Sequence, residues 1–430
     1  MKIRLRTIEA RIIATTTATM ARMSQRFCFR PGWLQKIGVT SGRRTTLALL
    51  PLMLAPLMAA STPDVPQPRP RSTGAMQTDL PELVLGQSAP LSGPSAQLGR
   101  DYREGALAWF NAVNRRGGIH GRRLRLISLD DRYEPPLTQS NTRQLIETER
   151  ALVLFGYVGT PTVKAILPMV DQTQIPLVAP LTGARLLRQP FRPMVFNLRA
   201  SYQAEVDQMV NSLVRAGRHR IAVLHQEDAF GEDGLRATHS ALGRHGLKPV
   251  AIAGVKRNST ATDAAARQLM RADPSAVVII SAYPSSAAFS RSLQGLGSTA
   301  QLMNVSFVGT GALQDALPGG QASGIGVSQV VPFPWNRQVP VVAEYQRLMR
   351  QEQRRARYGF TSLEGFLAAR WLTAALEKAG PNPTRQRLVA AFEGMPELDL
   401  GGFKLKIGPG DHQASDFVDL TFLGAQRWGP

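Results

Sequence analysis

Residues 220–255 read RIAVLHQEDAFGEDGLRATHSALGRHGLKPVAIAGV, and this stretch indicates the fold. Its two ends, RIAVLH (220–225) and PVAIAGV (249–255), are short apolar runs rich in β-branched residues, which is typical of buried strands. The segment between them has helical spacing around residues 235–242. A strand, a helix and a second strand in this order form a unit with parallel strands and a right-handed crossover.

The same unit recurs in both directions along the chain. One series of apolar runs and amphipathic stretches precedes residue 200 and a second follows it, which predicts an α/β protein with two lobes. The C-terminal part of the chain, after the predicted strand at 326–332, has predicted helices followed by two strand-like runs. This order would suit a chain that crosses back to complete both lobes. The other predicted strands are LVL (83–85), RLRLISL (123–129), ALVLFGYV (151–158), PLVA (176–179), AVVIIS (276–281), VSFVG (305–309), GVSQVVP (326–332), KLKI (404–407) and FVDLTF (417–422).

The N-terminal part of the chain is predicted to be an export leader followed by a linker. Residues 47–60 read LALLPLMLAPLMAA, follow two arginines and end at small residues, which is the pattern of a secretory signal peptide. We therefore expect residues 1–60 to be a leader that is cleaved between about residues 59 and 66. Residues 61–80 are rich in Pro, Ser and Thr and are expected to form a flexible linker.

Cysteine usage agrees with an exported protein, whereas the net charge alone leaves nucleic-acid binding open. Cys28, the single cysteine, lies in the predicted leader, so the mature chain is expected to have neither a disulfide nor a cysteine for lipid attachment. Lys and Arg number 51 against 31 Asp and Glu, a net charge of +20. Such basicity would suit nucleic acid, but residues 1–80 show no helix-turn-helix pattern. We expect a soluble periplasmic protein that binds no nucleic acid.

The sequence shows no motif for catalysis, a metal or a cofactor. There is no Walker A pattern, no metal spacing among the six histidines, no G-x-S-x-G motif and no cysteine after the leader. The prediction is therefore a protein that is not an enzyme and needs no cofactor. An unrecognised hydrolase stays open as an alternative.

The segment SAPLSGPSAQLGRDYREGALAWFNAVNRRGGIHGRRLRLISLDD (88–131) resembles the start of the leucine/isoleucine/valine-binding protein family. This resemblance implies the type I periplasmic binding fold, with two doubly wound parallel-sheet lobes joined by three crossovers and a ligand enclosed between them. We expect residues 81–199 and 330–395 to form lobe 1 and residues 200–329 and 396–430 to form lobe 2. The other matching segments are GYVGTPT (156–162), VAPLTGARLLR (178–188), FNLRASY (196–202), IAVLHQEDAFGEDGL (221–235) and AVVIISAYPSSAAF (276–289).

The predicted ligand site lies beyond the carboxyl ends of the strands, where open α/β sheets bind ligands. The turn around Thr160, Pro161 and Thr162 begins a helix, and its free N–H groups and hydroxyls would suit a ligand carboxylate. The resemblance adds contacts in both lobes, with Asp228 as the carboxylate best placed to hold an ammonium group. These further candidates are Leu98, Thr182, Gly183, Asp228, Phe230, Tyr283 and Thr310.

The resemblance implies a solute receptor that delivers a small polar ligand to the permease and ATPase subunits of an ABC importer and acts as a monomer. A sensor of the same fold that serves a membrane signalling partner is the alternative. Amino-acid-binding relatives commonly hold the α-ammonium with an acidic residue after the strand that corresponds to 305–309. The loop GTGAL (309–313) has none, so we expect a carboxylate-bearing or otherwise polar ligand without an α-amino group.

Overall fold

Five short parallel strands form the first sheet; four of them are buried almost throughout, whereas the edge strand Leu124–Asp130 is buried only at its first residue. The computed structural model describes residues 81–425, so the predicted leader, its cleavage site and the linker lie outside the described residues. The strands are β1 (Leu83–Ala89), β2 (Leu124–Asp130), β3 (Val153–Phe155), β4 (Leu177–Val178) and β5 (Val195–Phe196), and their order across the sheet is β2-β1-β3-β4-β5.

Three helices connect these strands and begin at the carboxyl edge of the sheet. They are α1 (Ala96–Arg115), α2 (Pro135–Glu147) and α3 (Thr160–Thr173). The start of α3 is fixed by its sequence, because Gly159 has a φ of +96°, which glycine adopts without strain, and Pro161 stands in the first turn. The helix α3 therefore begins at Thr160, in the loop that follows the carboxyl end of β3.

The second sheet has six strands. They are β6 (Ile221–Gln226), β7 (Ile252–Val255), β8 (Ala276–Ile280), β9 (Gln301–Asn304), β10 (Gly326–Gln329) and β13 (Asp419–Phe422), in the order β13-β10-β9-β8-β6-β7. All neighbours are parallel except β13, which pairs antiparallel with β10. The accompanying helices are α4 (Tyr202–Arg215), α5 (Ala229–Gly243), α6 (Asp263–Met270), α7 (Tyr283–Gly295) and α8 (Thr310–Ala316).

The chain passes between the two sheets three times. It leaves the first sheet after β5, returns after β10 to form three helices and a two-stranded ribbon, and ends in β13 of the second sheet. The α/β class with two parallel sheets and three crossings is confirmed, whereas the exact lobe boundaries stay a prediction. The returning elements are α9 (Pro340–Glu352), α10 (Phe360–Ala379), α11 (Arg385–Glu393), β11 (Leu398–Asp399) and β12 (Lys404–Leu405).

The helices α1 and α10 touch through their backbones. A Cβ atom placed on Gly105 would lie 1.7 Å from the carbonyl oxygen of Ser362, and one placed on Gly365 would lie 2.0 Å from that of Tyr102. Glycine is therefore required on both helices at this contact. The returning helices are tied in this way to the first helix of the fold.

A buried ion pair fixes the first crossing between the sheets. Arg199, which follows β5, donates from Nε and Nη2 to the two carboxylate oxygens of Glu364 on α10, each at 2.9 Å. The two side chains are 2% and 4% exposed. This two-pronged geometry offsets part of the cost of burying both charges.

The prediction of a strand at 305–309 is wrong. The strand is β9, which ends at Asn304, and Ser306–Val308 form a 3-10 turn. The backbone N–H of Ser306 donates to Glu205 Oε2 at 2.7 Å and to Ser328 Oγ at 3.1 Å, so it does not continue the ladder. The chain then turns at Gly309, which has a φ of +75°.

A half-buried carboxyl group on α1 predicts a pH dependence of stability. Burial raises the pKa of Asp101 from 3.8 to about 7, with opposing contributions from Gln97 and Arg357, which lower it, and from Glu104 and Asp315, which raise it. Between these two pH values the folded protein holds a proton that the unfolded chain has released. The contribution of Asp101 to the free energy of unfolding is therefore present below about pH 4 and lost as the pH rises to about 7.

We expect Asp101→Asn to remove this contribution, since the asparagine oxygen still accepts from Gln97. The stability of the variant relative to the wild type should rise between pH 4.5 and pH 7.5, as measured by urea unfolding at several pH values. Asp416→Asn, which changes an exposed carboxylate, is the control. Parallel stability curves for Asp101→Asn and the wild type would contradict the prediction.

Candidate functional site

Two threonine hydroxyls from neighbouring loops of the first sheet meet at its carboxyl edge. Thr160 begins α3, Thr182 follows β4, and their Oγ1 atoms lie 2.7 Å apart. Both residues are buried. No side chain caps the start of α3, where Thr160 stands, so its first N–H groups have no side-chain acceptor at the cap.

Aromatic side chains from the second sheet's side lie next to this pair. The rings of Tyr202 and Phe230 have centroids 5.1 Å apart, and those of Phe230 and Phe307 lie 4.8 Å apart in an edge-on arrangement. Tyr202 also lies close enough to Thr182 to interact with its hydroxyl. Burial raises the pKa of Tyr202 to about 12, so the phenol stays protonated at neutral pH.

Tyr133, in the loop after β2, completes this set of contacts from the side of the first sheet. Arg132 and Tyr133 have positive φ values of 53° and 64°, and the Tyr133 ring lies 5.8 Å from that of Phe307. The ring also covers Gly159, where an added Cβ would lie 2.1 Å from Tyr133 Cε2. We call this closed circle of contacts the cleft cluster; its members are Tyr133, Gly159, Thr160, Thr182, Tyr202, Phe230 and Phe307.

Polar groups without a hydrogen-bond partner lie at the cleft cluster. Gln226, at the end of β6, donates from Nε2 to the Tyr133 hydroxyl at 3.3 Å, while its buried Oε1 accepts no hydrogen bond among the described residues. The Tyr202 hydroxyl likewise makes no well-formed hydrogen bond within residues 81–425. Buried polar atoms of this kind are costly unless a partner satisfies them, so they are natural contacts for a polar ligand.

Asp228 is held by groups of the protein. Its carboxylate caps α5, accepting from Phe230 N at 3.0 Å, and also accepts from Gln226 Nε2 at 2.7 Å. Arg257 pairs with Asp228 at 3.3 Å and with Glu134, beyond the end of β2, at 2.7 Å. The resulting group Glu134–Arg257–Asp228 joins the two sheets' loops at the edge of the cleft.

A second carboxylate reaches the loop after β9 from a distant position in sequence. Glu205 on α4 is buried and accepts from Ser306 N, Ser306 Oγ and Ser328 Oγ. The loop 309–313 itself contains no acid, as the sequence shows. The carboxylate that contacts the chain just before this loop is therefore Glu205 of α4, and it accepts three hydrogen bonds.

The remaining predicted residues lie around the cleft cluster. Pro161 and Gly183 are buried beside the two threonines, and Leu98 packs across the cleft on Gly309. The Thr162 hydroxyl donates to backbone carbonyls of its own turn, and the Thr310 hydroxyl accepts a hydrogen bond from Gln329 Nε2. The Tyr283 hydroxyl donates to the carbonyl oxygen of Pro94 at the rim. Their roles in binding stay predictions.

Sequence reasoning missed Tyr133, Tyr202, Phe307, Gln226 and Arg257. All five follow or end a strand or begin a helix at the carboxyl edge, so position along the predicted units was a usable signal. The pairing of Arg257 left no local signal, because its partners are 29 and 123 positions away.

Within residues 81–425 no group of three or more His, Cys, Asp or Glu side chains could hold a metal ion. The helices of this part of the chain include none that combines the length and apolarity needed to cross a membrane. What the described residues offer at the cleft is an aromatic wall with two hydroxyls and a helix start.

The chain belongs to the periplasmic binding protein family, whose model matches residues 82–421. The resemblance to leucine/isoleucine/valine-binding proteins is confirmed. The chain is similar to an amino acid binding protein of Pseudomonas aeruginosa, with 24% identity over 246 residues, 56% of this chain and 65% of that one. It is also similar to the leucine-specific-binding protein of Salmonella typhimurium, with 23% identity over 257 residues, 59% of this chain and 68% of the relative.

Solved structures share the fold over most of the described chain. A possible leucine/isoleucine/valine-binding protein from Rhodopirellula baltica has a TM-score of 0.78 and 34% identity over 82% of this chain and 96% of that one. A solute-binding protein from R. palustris in complex with benzoate has a TM-score of 0.70 and 18% identity, covering 80% and 93%. The type I periplasmic binding fold is thereby confirmed.

The contact between Tyr133 and Gly159 predicts an unusually harmful substitution. We expect Gly159→Ala to destabilise the protein by more than about 1 kcal/mol, because the new Cβ would enter the Tyr133 ring and the φ of +96° disfavours any side chain. Gly117→Ala is the matched control, with a φ of +100° and no atom near the new Cβ. Thermal and urea unfolding of both variants would measure the difference.

Gly159→Ala should cost less in a Tyr133→Ala background than in the wild type, since the clashing ring is then gone; the comparison is between the double variant and Tyr133→Ala alone, because loss of the buried ring is itself destabilising. Equal destabilisation by Gly159→Ala and Gly117→Ala would show that the ring does not lie on Gly159.

Proposed function

We propose that this protein is an exported solute receptor of an ABC importer that captures a small ligand between its two lobes. The single observation that supports this best is the cleft cluster, in which loops of both sheets meet. A ligand placed there would contact both lobes and stabilise their approach, and membrane permease subunits would recognise that form. On this proposal the protein is not an enzyme, needs no cofactor and works as a monomer in the periplasm.

We propose further that the ligand carries a carboxylate or similar polar group on an apolar body and lacks an α-amino group. Thr160, Thr182 and the start of α3 would hold the polar group, since a helix start favours an anion by about 0.3–1 kcal/mol. The rings of Tyr133, Phe230 and Phe307 would cover the apolar body. An ammonium group would need a free carboxylate, and Asp228 and Glu205 already accept hydrogen bonds from the protein.

Calorimetry with matched compounds tests the ligand class. We expect the 2-oxo and deaminated counterparts of leucine, valine and phenylalanine to bind at least tenfold more tightly than the amino acids. Thr160→Val should weaken the best binder by about two- to tenfold, the loss of one hydrogen bond. Thr173→Val removes a hydroxyl at the far end of α3 and is the control. Tighter binding of the amino acids, lost in Asp228→Asn, would contradict the proposal.

Small-angle scattering tests closure. The particle should have a smaller radius of gyration with a saturating amount of the best compound of that series than without it, because the ligand contacts both lobes. The amino acid that binds most weakly serves as the control at the same concentration. Identical profiles with and without a saturating binder would count against closure between lobes.

A further inference from the structure

A cavity of about 380 Å³ lies beside the first crossing between the sheets. One wall is the segment from Gly183 to Gln189, which follows β4, and the opposite wall is formed by the start of α4 and by α5. Its volume lies in the range of sites for small molecules. Gly183 is the only residue that it shares with the predicted ligand contacts of the cleft.

Arg188 lines this cavity without a carboxylate partner. Its guanidinium donates to the carbonyl oxygens of Ala184 at 2.9 Å and Arg199 at 2.8 Å, and to Gln413 Oε1 at 2.5 Å. No carboxylate of residues 81–425 lies within 4.0 Å of its nitrogen atoms, so only neutral oxygens accept hydrogen bonds from this guanidinium group. Burial and the neighbouring Arg199 lower the pKa of Arg188 to about 10, whereas Asp233 acts in the opposite direction.

Two further arginines and one aspartate complete the charged lining. Asp233 accepts from the backbone N–H of Arg185 at 2.9 Å and from Arg236 Nη2 at 2.6 Å. The Arg185 side chain donates to the neutral Gln189. Three arginines and one aspartate therefore line this cavity of small-molecule size, so its lining holds more positive than negative side chains.

We propose that this cavity binds a small oxyanion, with Arg188 and Arg236 as its cationic contacts and Arg185 at its rim. Guanidinium groups recognise carboxylate and phosphate groups by paired N–H···O hydrogen bonds, and both groups share this chemistry. The anion would supply the counter-charge that Arg188 lacks. Because one wall precedes the first crossing and the other follows it, a bound anion would also tie the two lobes together there.

Titration calorimetry of the whole protein at constant ionic strength tests the proposal, with inorganic phosphate and succinate as separate probes and chloride as the background ion. We expect at least one probe to bind, and Arg236→Gln to weaken it at least fivefold. Asp233→Asn should tighten it, because the only carboxylate of the cavity is neutralised while the oxygen that accepts from Arg185 N is kept. Arg188→Met should abolish binding if its circular dichroism matches the wild type.

Arg244→Gln is the matched control, because it removes an exposed arginine just after α5 that pairs with Asp207 and does not line the cavity. Failure of both probes to bind the wild type would overturn the proposal, as would equal weakening by Arg244→Gln and Arg236→Gln, which would indicate non-specific attraction. Thr160→Val should leave anion binding unchanged. This result would show that anion binding does not depend on the cleft, so that a failure of one proposal can be told from a failure of the other.

Discussion

The ion pair between Arg199 and Glu364 is the constraint on which the arrangement of the two sheets depends. Removing either partner would leave a buried charge without compensation, at a cost of about 3–5 kcal/mol. Arg199 stands at the first crossing, three residues before Tyr202 and six before Glu205. The pair therefore fixes the segment from which α4 begins, and with it both the phenol in the cleft cluster and the carboxylate beneath the loop after β9.

The alternation of strands and helices was predictable because each unit is encoded locally. RIAVLH and AVVIIS are apolar runs of the right length, and the structure contains β6 and β8 at these positions. The run VSFVG led to a wrong prediction, because its apolar composition suits a strand as well as those of RIAVLH and AVVIIS do. What prevents a strand there is the hydrogen bond from Ser306 to Glu205, which is 101 positions away and leaves no mark on the local pattern.

The candidate site was predictable only where a short motif carries it. Thr160 and Thr182 were expected at the same edge of the first sheet, and their hydroxyls lie 2.7 Å apart. Tyr133 was not expected, because its place in the cleft follows from two successive left-handed residues that turn the chain back over Gly159. Left-handed backbone at Arg132 and Tyr133 is a property of the folded loop, since neither residue type favours it.

The glycine contact between α1 and α10 has a mechanical consequence. With 20 residues at 1.5 Å each, α1 is a rod about 30 Å long. Its first turn carries Leu98, which packs on Gly309 across the cleft, and Arg116 just past its far end stacks on Trp109. Because α10 clamps its backbone, α1 cannot bend independently of the returning helices. A rotation of this helix by about 10° about its end at the cleft would displace its far end by about 5 Å.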